Sequence, residues 1–402
     1  MGLFLTLPDY SRKTHFMGYR RFAVFFSIFL TLFVMFNFVV WKLRTEVILT
    51  KKYDGGDLSR LGYLPNAKEY RKKSDDLPAR HLEMKDFIGQ PVDILTIGDS
   101  YSNGGGEGRN SYYQDYIASI SGLTVLNVYP YQTGDLIMGF SPVSTLAMLY
   151  NSGYLDLINP KCIVLQSVER YSIARFSRTL QFDATDSLTN IRSFYKAKEI
   201  STDPLPKVSF INEGNFKYLY YNFMYLFSDN AFRRLVYMKR LSRPVFNVGD
   251  GKTLLFHGDE LHSVSLATPD YLRNLNNNLN HLSDFLGRSG IKLYFMPIVD
   301  KSNLYGDFMV DNHYPRSTFF EKLRLLPHRY TLIDTKEILL ERVKQGDRDL
   351  FHSDDTHWTW RASKAVIEKV SFTDCCSRTG ELPTFSSVPS SRGPHDPKTH
   401  VR

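Results

Sequence analysis

The most distinct feature of the hydrophobic pattern is a long uncharged run near the N-terminus. Residues 22–41 read FAVFFSIFLTLFVMFNFVVW, and about 20 apolar residues of helix span the roughly 30 Å hydrocarbon layer of a membrane. Basic residues flank the run on both sides: Arg20, Arg21, Lys42 and Arg44. We predict a transmembrane helix at 22–41. The flanking charges leave its orientation open, and the short N-terminal tail favours a cytoplasmic segment at 1–21. A soluble core helix is rarely apolar all round, and a signal peptide is usually shorter with a small-residue cleavage site.

Further along, short apolar runs alternate with helical patterns. We predict buried strands at 91–97, 123–128 and 161–167, separated by helices at 112–120 and 141–150. This alternation predicts an α/β domain with a parallel sheet and helices on both of its faces. The pattern resumes with an amphipathic helix at 269–287, strands at 291–298 and 330–333, and a helix at 336–345. In the helix at 269–287, leucines recur every three or four residues, which places them on one face.

Changes in pattern also mark the domain boundaries. The polar stretch 42–85 predicts a juxtamembrane spacer before a catalytic domain at 86–370. Within that domain, 171–262 loses its periodicity and is rich in Tyr and Phe, which indicates an insertion. It could form a lid or an acceptor-binding subdomain, although aromatic stripes more often serve packing. The Ser- and Pro-rich stretch 371–402 predicts a disordered tail.

Charge and cysteine content narrow the class of protein. The formal net charge of +8 is spread along the chain without a block of like charges, so a nucleic-acid partner is not indicated. Three cysteines predict neither a disulfide framework nor a metal site. Cys162 falls in an apolar run and is expected to be a buried thiol. Cys375 and Cys376 are adjacent, and neighbouring cysteines rarely bridge each other.

Two short motifs carry the residue types of nucleophilic catalysis. Gly98-Asp99-Ser100 follows the first predicted strand, and 354–358 (DDTHW) follows the last. A serine hydroxyl becomes a strong nucleophile when an imidazole takes its proton, and a carboxylate orients that imidazole. Ligands of open α/β sheets bind at the carboxyl ends of strands. We therefore expect Ser100 and His357 to meet there, although either motif alone could be an ordinary turn or helix cap.

Four stretches carry a resemblance to a known family: 94–100 (ILTIGDS), 163–171 (IVLQSVERY), 295–305 (FMPIVDKSNLY) and 350–362 (LFHSDDTHWTWRA). They resemble blocks of the SGNH (GDSL-like) hydrolases and, within them, of membrane-associated O-acetyltransferases related to alginate acetylation proteins. The resemblance implies an SGNH-type parallel sheet. The serine precedes the histidine here, as in ordinary SGNH proteins, whereas the alginate-type enzymes have the Asp-Thr-His-Trp block first.

The resemblance also implies roles for individual residues. Ser100 is the acyl-accepting nucleophile, His357 the general base and then acid, and Asp355 the orienting carboxylate. The spacing of simple GDSL hydrolases selects Asp354 instead, so both acids stay candidates, and the other could cap the following helix. The third segment, with its Pro-x-x-Asp-Lys pattern, has no obvious catalytic chemistry.

Oxyanion and substrate contacts are less specific in the sequence. The backbone N–H of Ser100 is the first expected oxyanion donor, and Gly134 resembles the family's second glycine block. Gln166 and Arg170 follow the third strand in place of a Gly-x-Asn-Asp block and are candidates for oxyanion or substrate binding. Arg170 could instead form a buried ion pair with Glu169.

These features together predict a membrane-anchored serine O-acyltransferase that acetylates an extracytoplasmic polysaccharide or cell-wall glycan. The alternatives are an SGNH carbohydrate or lipid esterase, and a catalytically silent scaffold of a polysaccharide assembly complex. Expected partners are a glycan acceptor, an acyl donor, the lipid bilayer and, by resemblance, a multi-span membrane acyltransferase. No cofactor or metal is expected, because His352 and its neighbours lack a further ligand cluster. The predicted location is the bacterial inner membrane, with a single span and an extracytoplasmic catalytic domain.

Overall fold

The computed structural model describes residues 10–50, 55–64, 71–72, 76–131, 141–180, 182–197, 207–231 and 235–376, with side chains from residue 18 onward. Its helices are α1 (Tyr10–Val40), α2 (Glu46–Thr50), α3 (Asp57–Gly62), α4 (Tyr113–Ser121), α5 (Pro142–Asn151), α6 (Tyr154–Ile158), α7 (Glu169–Phe176), α8 (Leu188–Ala197), α9 (Glu213–Met224), α10 (Gly258–Val264), α11 (Pro269–Gly287), α12 (Lys301–Tyr305), α13 (Phe319–Arg324), α14 (Thr335–Lys344) and α15 (Trp360–Lys369). Its strands are β1 (Leu82–Glu83), β2 (Ile94–Ile97), β3 (Val125–Val128), β4 (Cys162–Val168), β5 (Val236–Arg240), β6 (Thr253–His257), β7 (Lys292–Ile298) and β8 (Thr331–Leu332).

The domain is built on a six-stranded sheet with the order β1-β3-β2-β4-β7-β8. Every neighbouring pair in this sheet is parallel. Helices flank the sheet, so the predicted α/β class is confirmed. All positions of β2, β3 and β4 are buried, and since alternate side chains point to opposite faces, both faces of these strands are covered.

The predicted elements correspond closely to those observed. The amphipathic helix 269–287 is α11, and its apolar stripe is buried: Leu272, Leu275, Leu279, Leu282 and Leu286. The strand predicted at 291–298 is β7, which runs from Lys292 to Ile298. The hydrophobic periodicity was enough to predict α11, because a helix that covers a sheet must carry its apolar residues on one face.

The aromatic-rich stretch 171–262 contains regular structure. It includes α8, α9 and an antiparallel hairpin of β5 and β6. Beside α9 and the hairpin lies a small second core, formed by Leu58, Leu64, Tyr225, Ala231, Val236 and Leu255. Two of its members, Leu58 and Leu64, come from the stretch predicted as a spacer. Part of the predicted juxtamembrane spacer is therefore packed against the domain.

The N-terminal helical region continues beyond the predicted span. The stretch Gly18–Thr50 is 33 residues long, and its most apolar 18-residue window has a mean hydropathy of 2.5 and is 6% buried. It is long and apolar enough to cross a membrane, a property it shares with signal sequences. A π-helical segment, Trp41–Thr45, joins α1 to α2.

The cysteines differ from expectation. A disulfide joins Cys162, at the start of β4, to Cys375, across 213 residues, so the prediction of a free buried thiol at Cys162 was wrong. Phe372 packs against Tyr294 with ring centroids 5.3 Å apart. The beginning of the predicted tail, 371–376, thus belongs to the folded domain, while 377–402 lie outside the described residues. The pairing escaped prediction because it depends on where the chain returns in space.

We expect one cysteine per chain, Cys376, to react with iodoacetamide in denatured, unreduced protein, and all three to react after reduction, as measured by intact mass. Cys375→Ser should lower the free energy of unfolding by roughly 2–4 kcal/mol, because the crosslink restricts the unfolded chain. Cys376→Ser is the matched control and should leave stability unchanged. Three reactive thiols before reduction would contradict the disulfide.

Candidate active site

Ser100 and His357 meet at the carboxyl edge of the sheet. Ser100 lies in the turn after β2 and is exposed. Its Oγ is 2.7 Å from Nε2 of His357, which is 257 residues away in the chain. A hydroxyl at this distance from a neutral imidazole nitrogen can transfer its proton to the ring.

Asp355 lies on the other side of the imidazole. Its Oδ1 is 2.6 Å from His357 Nδ1 and also accepts a hydrogen bond from the His357 backbone N–H at 3.0 Å. Burial opposes ionisation of Asp355, but the charge and hydrogen bond of His357 hold its pKa well below the ordinary value. Burial likewise disfavours the imidazolium, yet the Asp355 carboxylate outweighs it and raises the pKa of His357. Asp355 therefore occupies the position of an orienting carboxylate.

Asp354 binds other partners than the imidazole, although Arg71 lies near both acids, with its Nη1 3.6 Å from Asp355 Oδ2. Its Oδ1 forms a buried ion pair with Arg71, and its Oδ2 accepts a hydrogen bond from the Gly56 backbone N–H at 2.9 Å. It does not cap the helix that follows: the N-cap of α15 is Thr359, whose side chain accepts from the Arg361 N–H. Asp354 instead ties residues 352–358, which we call the histidine loop, to the segment after the N-terminal helical region.

That segment also contacts the loop through Asp57, a residue that the sequence analysis did not identify. Asp57 Oδ1 accepts from the Thr356 N–H at 2.8 Å, and its Oδ2 accepts from the Thr356 hydroxyl at 2.6 Å. In return, the Asp57 N–H donates to Asp355 Oδ2 at 3.1 Å. The start of α3 thus holds both Asp355 and Thr356 in place. A lone acidic residue in a polar stretch gave no signal of this role.

The Ser100 turn is supported from below by buried polar groups. Asp99 accepts hydrogen bonds from the Val168 N–H at 2.8 Å and from Arg175 at 2.7 Å. Burial alone would raise the pKa of Asp99, but Arg175 and these hydrogen bonds lower it. Gln166 is fully buried, and its amide bonds to Asp99 and to the Ser102 hydroxyl at 2.9 Å each. Gln166 therefore holds the turn, and its hydrogen-bonding groups are engaged there.

A glycine is required next to the histidine. The Gly105 N–H donates to the Ser100 carbonyl at 2.8 Å. A Cβ added at Gly105 would lie 2.4 Å from His357 Nε2, closer than real Cβ contacts. Only a residue without a side chain at this position lets the imidazole approach Ser100.

Glu169 and Arg170 do not form the ion pair with each other that the sequence suggested. Arg170 Nη1 binds Asp300 Oδ1 at 2.5 Å. Glu169 instead accepts from the Asp300 N–H at 3.0 Å and from the Asn303 amide at 2.7 Å. Both residues follow β4 and reach across to the end of the adjacent strand β7. Substrate binding by Arg170 stays a prediction.

Lys301 gives the Pro-x-x-Asp-Lys segment a clear structural role. Its side chain is buried, and Nζ donates to the carbonyl oxygens of His352 at 2.8 Å and Asp355 at 2.9 Å. Burial lowers the pKa of Lys301 to about 8. The ammonium group thus binds two carbonyl oxygens of the histidine loop, which fixes the loop at the sheet edge.

A cavity of about 340 Å³ opens beside the Ser100 turn. Its lining includes Asn103, Asn127, Tyr112, Tyr129 and Tyr195. The Asn127 amide donates to the Ser102 carbonyl at 3.0 Å, which links β3 to the turn. Gly134, the predicted second oxyanion donor, lies outside the described residues.

Three side chains at the histidine loop and at the start of α3 have atoms of the kinds that bind metals. Ligand atoms of Asp57, Asp355 and His357 lie within 4.8 Å of one another. However, both Asp57 oxygens accept hydrogen bonds from Thr356, and Asp355 binds the imidazole. Hydrogen bonds therefore account for this cluster, and we assign no metal to it.

No protein-family model matches the sequence, and no curated protein matches it either. The resemblance to SGNH proteins therefore depends on the four sequence stretches.

Replacing each of the two neighbouring acids should separate their roles. Asp355→Asn removes the charge beside the imidazole and should lower the pKa of His357, whereas Asp354→Asn should leave that pKa close to its raised value. The ring signal of His357 in an NMR titration, identified by its absence in His357→Gln, measures both. Equal effects of the two variants would contradict the assignment of Asp355.

Proposed function

We propose that this protein is an SGNH-type serine O-acyltransferase anchored to a membrane. The observation that carries the proposal is the chain of hydrogen bonds from Ser100 Oγ to His357 Nε2 and from His357 Nδ1 to Asp355. Nucleophile, base and orienting carboxylate stand in the order that acyl transfer requires. The parallel sheet and the position of Ser100 after β2 agree with the motif resemblance.

The proposed reaction has two half-steps. In the first, Ser100 Oγ attacks the carbonyl carbon of the acyl donor while His357 takes the hydroxyl proton, and His357 then protonates the departing group. In the second, His357 takes a proton from an acceptor hydroxyl, which attacks the acyl-serine carbonyl, and Ser100 Oγ leaves and is reprotonated. Asp355 stays ionised throughout and stabilises the imidazolium, while the Ser100 N–H is the proposed oxyanion donor.

The proposed acceptor is an extracytoplasmic polysaccharide or cell-wall glycan of a bacterium, reached by a domain outside the inner membrane. The Cys162–Cys375 disulfide supports that side of the membrane, because disulfides persist in oxidising compartments. The apolar helix Gly18–Thr50 supplies the anchor. The resemblance adds a multi-span membrane protein as the proposed source of acyl groups.

An esterase is the second candidate. Ser100 is exposed to solvent, so water can reach an acyl-serine unless the acceptor excludes it. Mass spectrometry of glycan incubated with acyl-loaded protein separates the two reactions. Acetylated glycan supports transfer, whereas free acetate with unmodified glycan supports hydrolysis.

A fluorophosphonate should label Ser100 covalently, as located by peptide mass spectrometry. Ser100→Ala should abolish labelling, and Asp355→Asn should slow it by roughly 10³–10⁴-fold because the imidazole loses its orienting charge. Ser289→Ala, at an exposed serine in a turn, is the control and should label normally. Absence of labelling in the wild-type protein, with normal polymer acetylation in Ser100→Ala cells, would favour the scaffold instead.

The labelling rate should rise with pH. His357 must be neutral to accept the serine proton, and Asp355 raises its pKa, so the midpoint should lie above about 6.5, the ordinary histidine value. Asp355→Asn should move the midpoint to lower pH, because the imidazolium loses its partner. A midpoint that does not respond to this variant would argue against His357 as the base.

A further inference from the structure

Helix α9 and its flanking residues carry a large exposed apolar surface. We call it the α9 surface, and its residues are between 38% and 74% exposed: Phe210, Ile211, Phe216, Leu219, Tyr220, Phe223, Leu226 and Phe227. The helical members fall three, four and seven residues after Phe216, which places them on one face. Contiguous exposed apolar patches of this kind mark contact sites with a partner or a membrane.

The opposite face of α9 is occupied by the protein. Asn215 and Tyr218 are buried, and the Tyr225 hydroxyl just after the helix donates to the Val236 carbonyl of β5 at 2.9 Å. Tyr221 and Met224 pack against the small second core. The helix is therefore fixed to the domain on one side and presents aromatic rings outward on the other.

Aromatic contacts join the α9 surface to the anchor helix. The Phe216 ring centroid is 6.3 Å from that of Phe33 and 5.0 Å from that of Phe36. At about 1.5 Å per residue, Phe33 lies about 20 Å along the helix from Arg20. A hydrocarbon layer of roughly 30 Å that begins near Arg20 extends beyond that level. Phe216 therefore reaches the depth of the acyl chains if the anchor crosses the bilayer.

A buried polar contact fixes the same two helices. The Asn215 amide donates to Asn37 Oδ1 at 2.8 Å, and the Thr45 hydroxyl donates to Asn215 Oδ1. Asn37, Thr45 and Asn215 are all fully buried. Amide and hydroxyl groups that bond between helices hold them together where the surroundings are apolar, so α9 has a defined height on the anchor.

We propose that the α9 surface is embedded in the leaflet of the bilayer on the domain's side, with lipid as its partner. The surface adjoins the anchor helix at Phe33 and Phe36. These two residues lie within the hydrocarbon layer if the anchor crosses the bilayer. The small core beneath α9 also includes Leu58 and Leu64, and Gly56 and Asp57 of the same segment hold the histidine loop. Seating in the membrane would therefore set the height of the active site above it. The proposal requires the anchor to cross the bilayer and does not depend on acyl transfer.

The test uses the full chain in lipid nanodiscs with one copy per disc. In a Cys376→Ser background, Leu226→Cys carries a bimane label, and Leu325→Cys is the matched control, since Leu226 is 74% and Leu325 84% exposed. We expect a nitroxide on the lipid acyl chain to remove most bimane fluorescence at position 226 and little at 325. Iodide in the water should give the reverse.

Quenching at position 226 by iodide and not by lipid would overturn the proposal. Protection from both quenchers, or a second chain in discs that should hold one, would show that a second copy covers the surface and would also overturn it. Phe223→Cys gives an independent reading from the last turn of α9, so the result does not rest on one label. Ser100 labelling in the same discs reports the active site separately.

Discussion

The position of one loop decides whether this molecule has a site at all. Residues 352–358 bring His357 to Ser100, and the loop is held by groups that arrive from separate parts of the chain. Lys301 binds its carbonyls, Asp57 at the start of α3 binds Thr356, and the Tyr101 hydroxyl donates to the Thr356 carbonyl at 2.6 Å. With several partners on a short stretch, the imidazole has little freedom, which is the preorganisation that proton transfer needs.

The sheet makes these contacts possible because its strands are parallel. The carboxyl ends of β2, β4 and β7 lie side by side, so the turns that follow them share one edge. Charged residues in these turns are buried, and each has a partner: Asp99 with Arg175, and Arg170 with Asp300. Unpaired, such charges would strongly destabilise the fold; paired, they fix the relative position of neighbouring turns.

The N-terminal helical region is joined to the site by a series of contacts. Asn215 binds Asn37 of α1, helix α9 packs on the small core, and α3 links that core to the histidine loop. The described part of the polar stretch after α2 therefore does more than connect two elements. Its composition predicted a spacer, because polar side chains that bind one particular loop look the same in sequence as those that face water.

The sequence by itself determined the elements and the chemistry they could carry. Apolar periodicity specified the strands and α11, and the types of Ser100 and His357 marked a possible nucleophile and base, because these signals are local. The tertiary structure alone decided that the two side chains meet, that Asp355 faces the imidazole while Asp354 faces Arg71, and that Cys162 bonds to a cysteine 213 residues later. Neighbouring acids have equal local signals, and contacts between distant segments arise only when the whole sheet assembles.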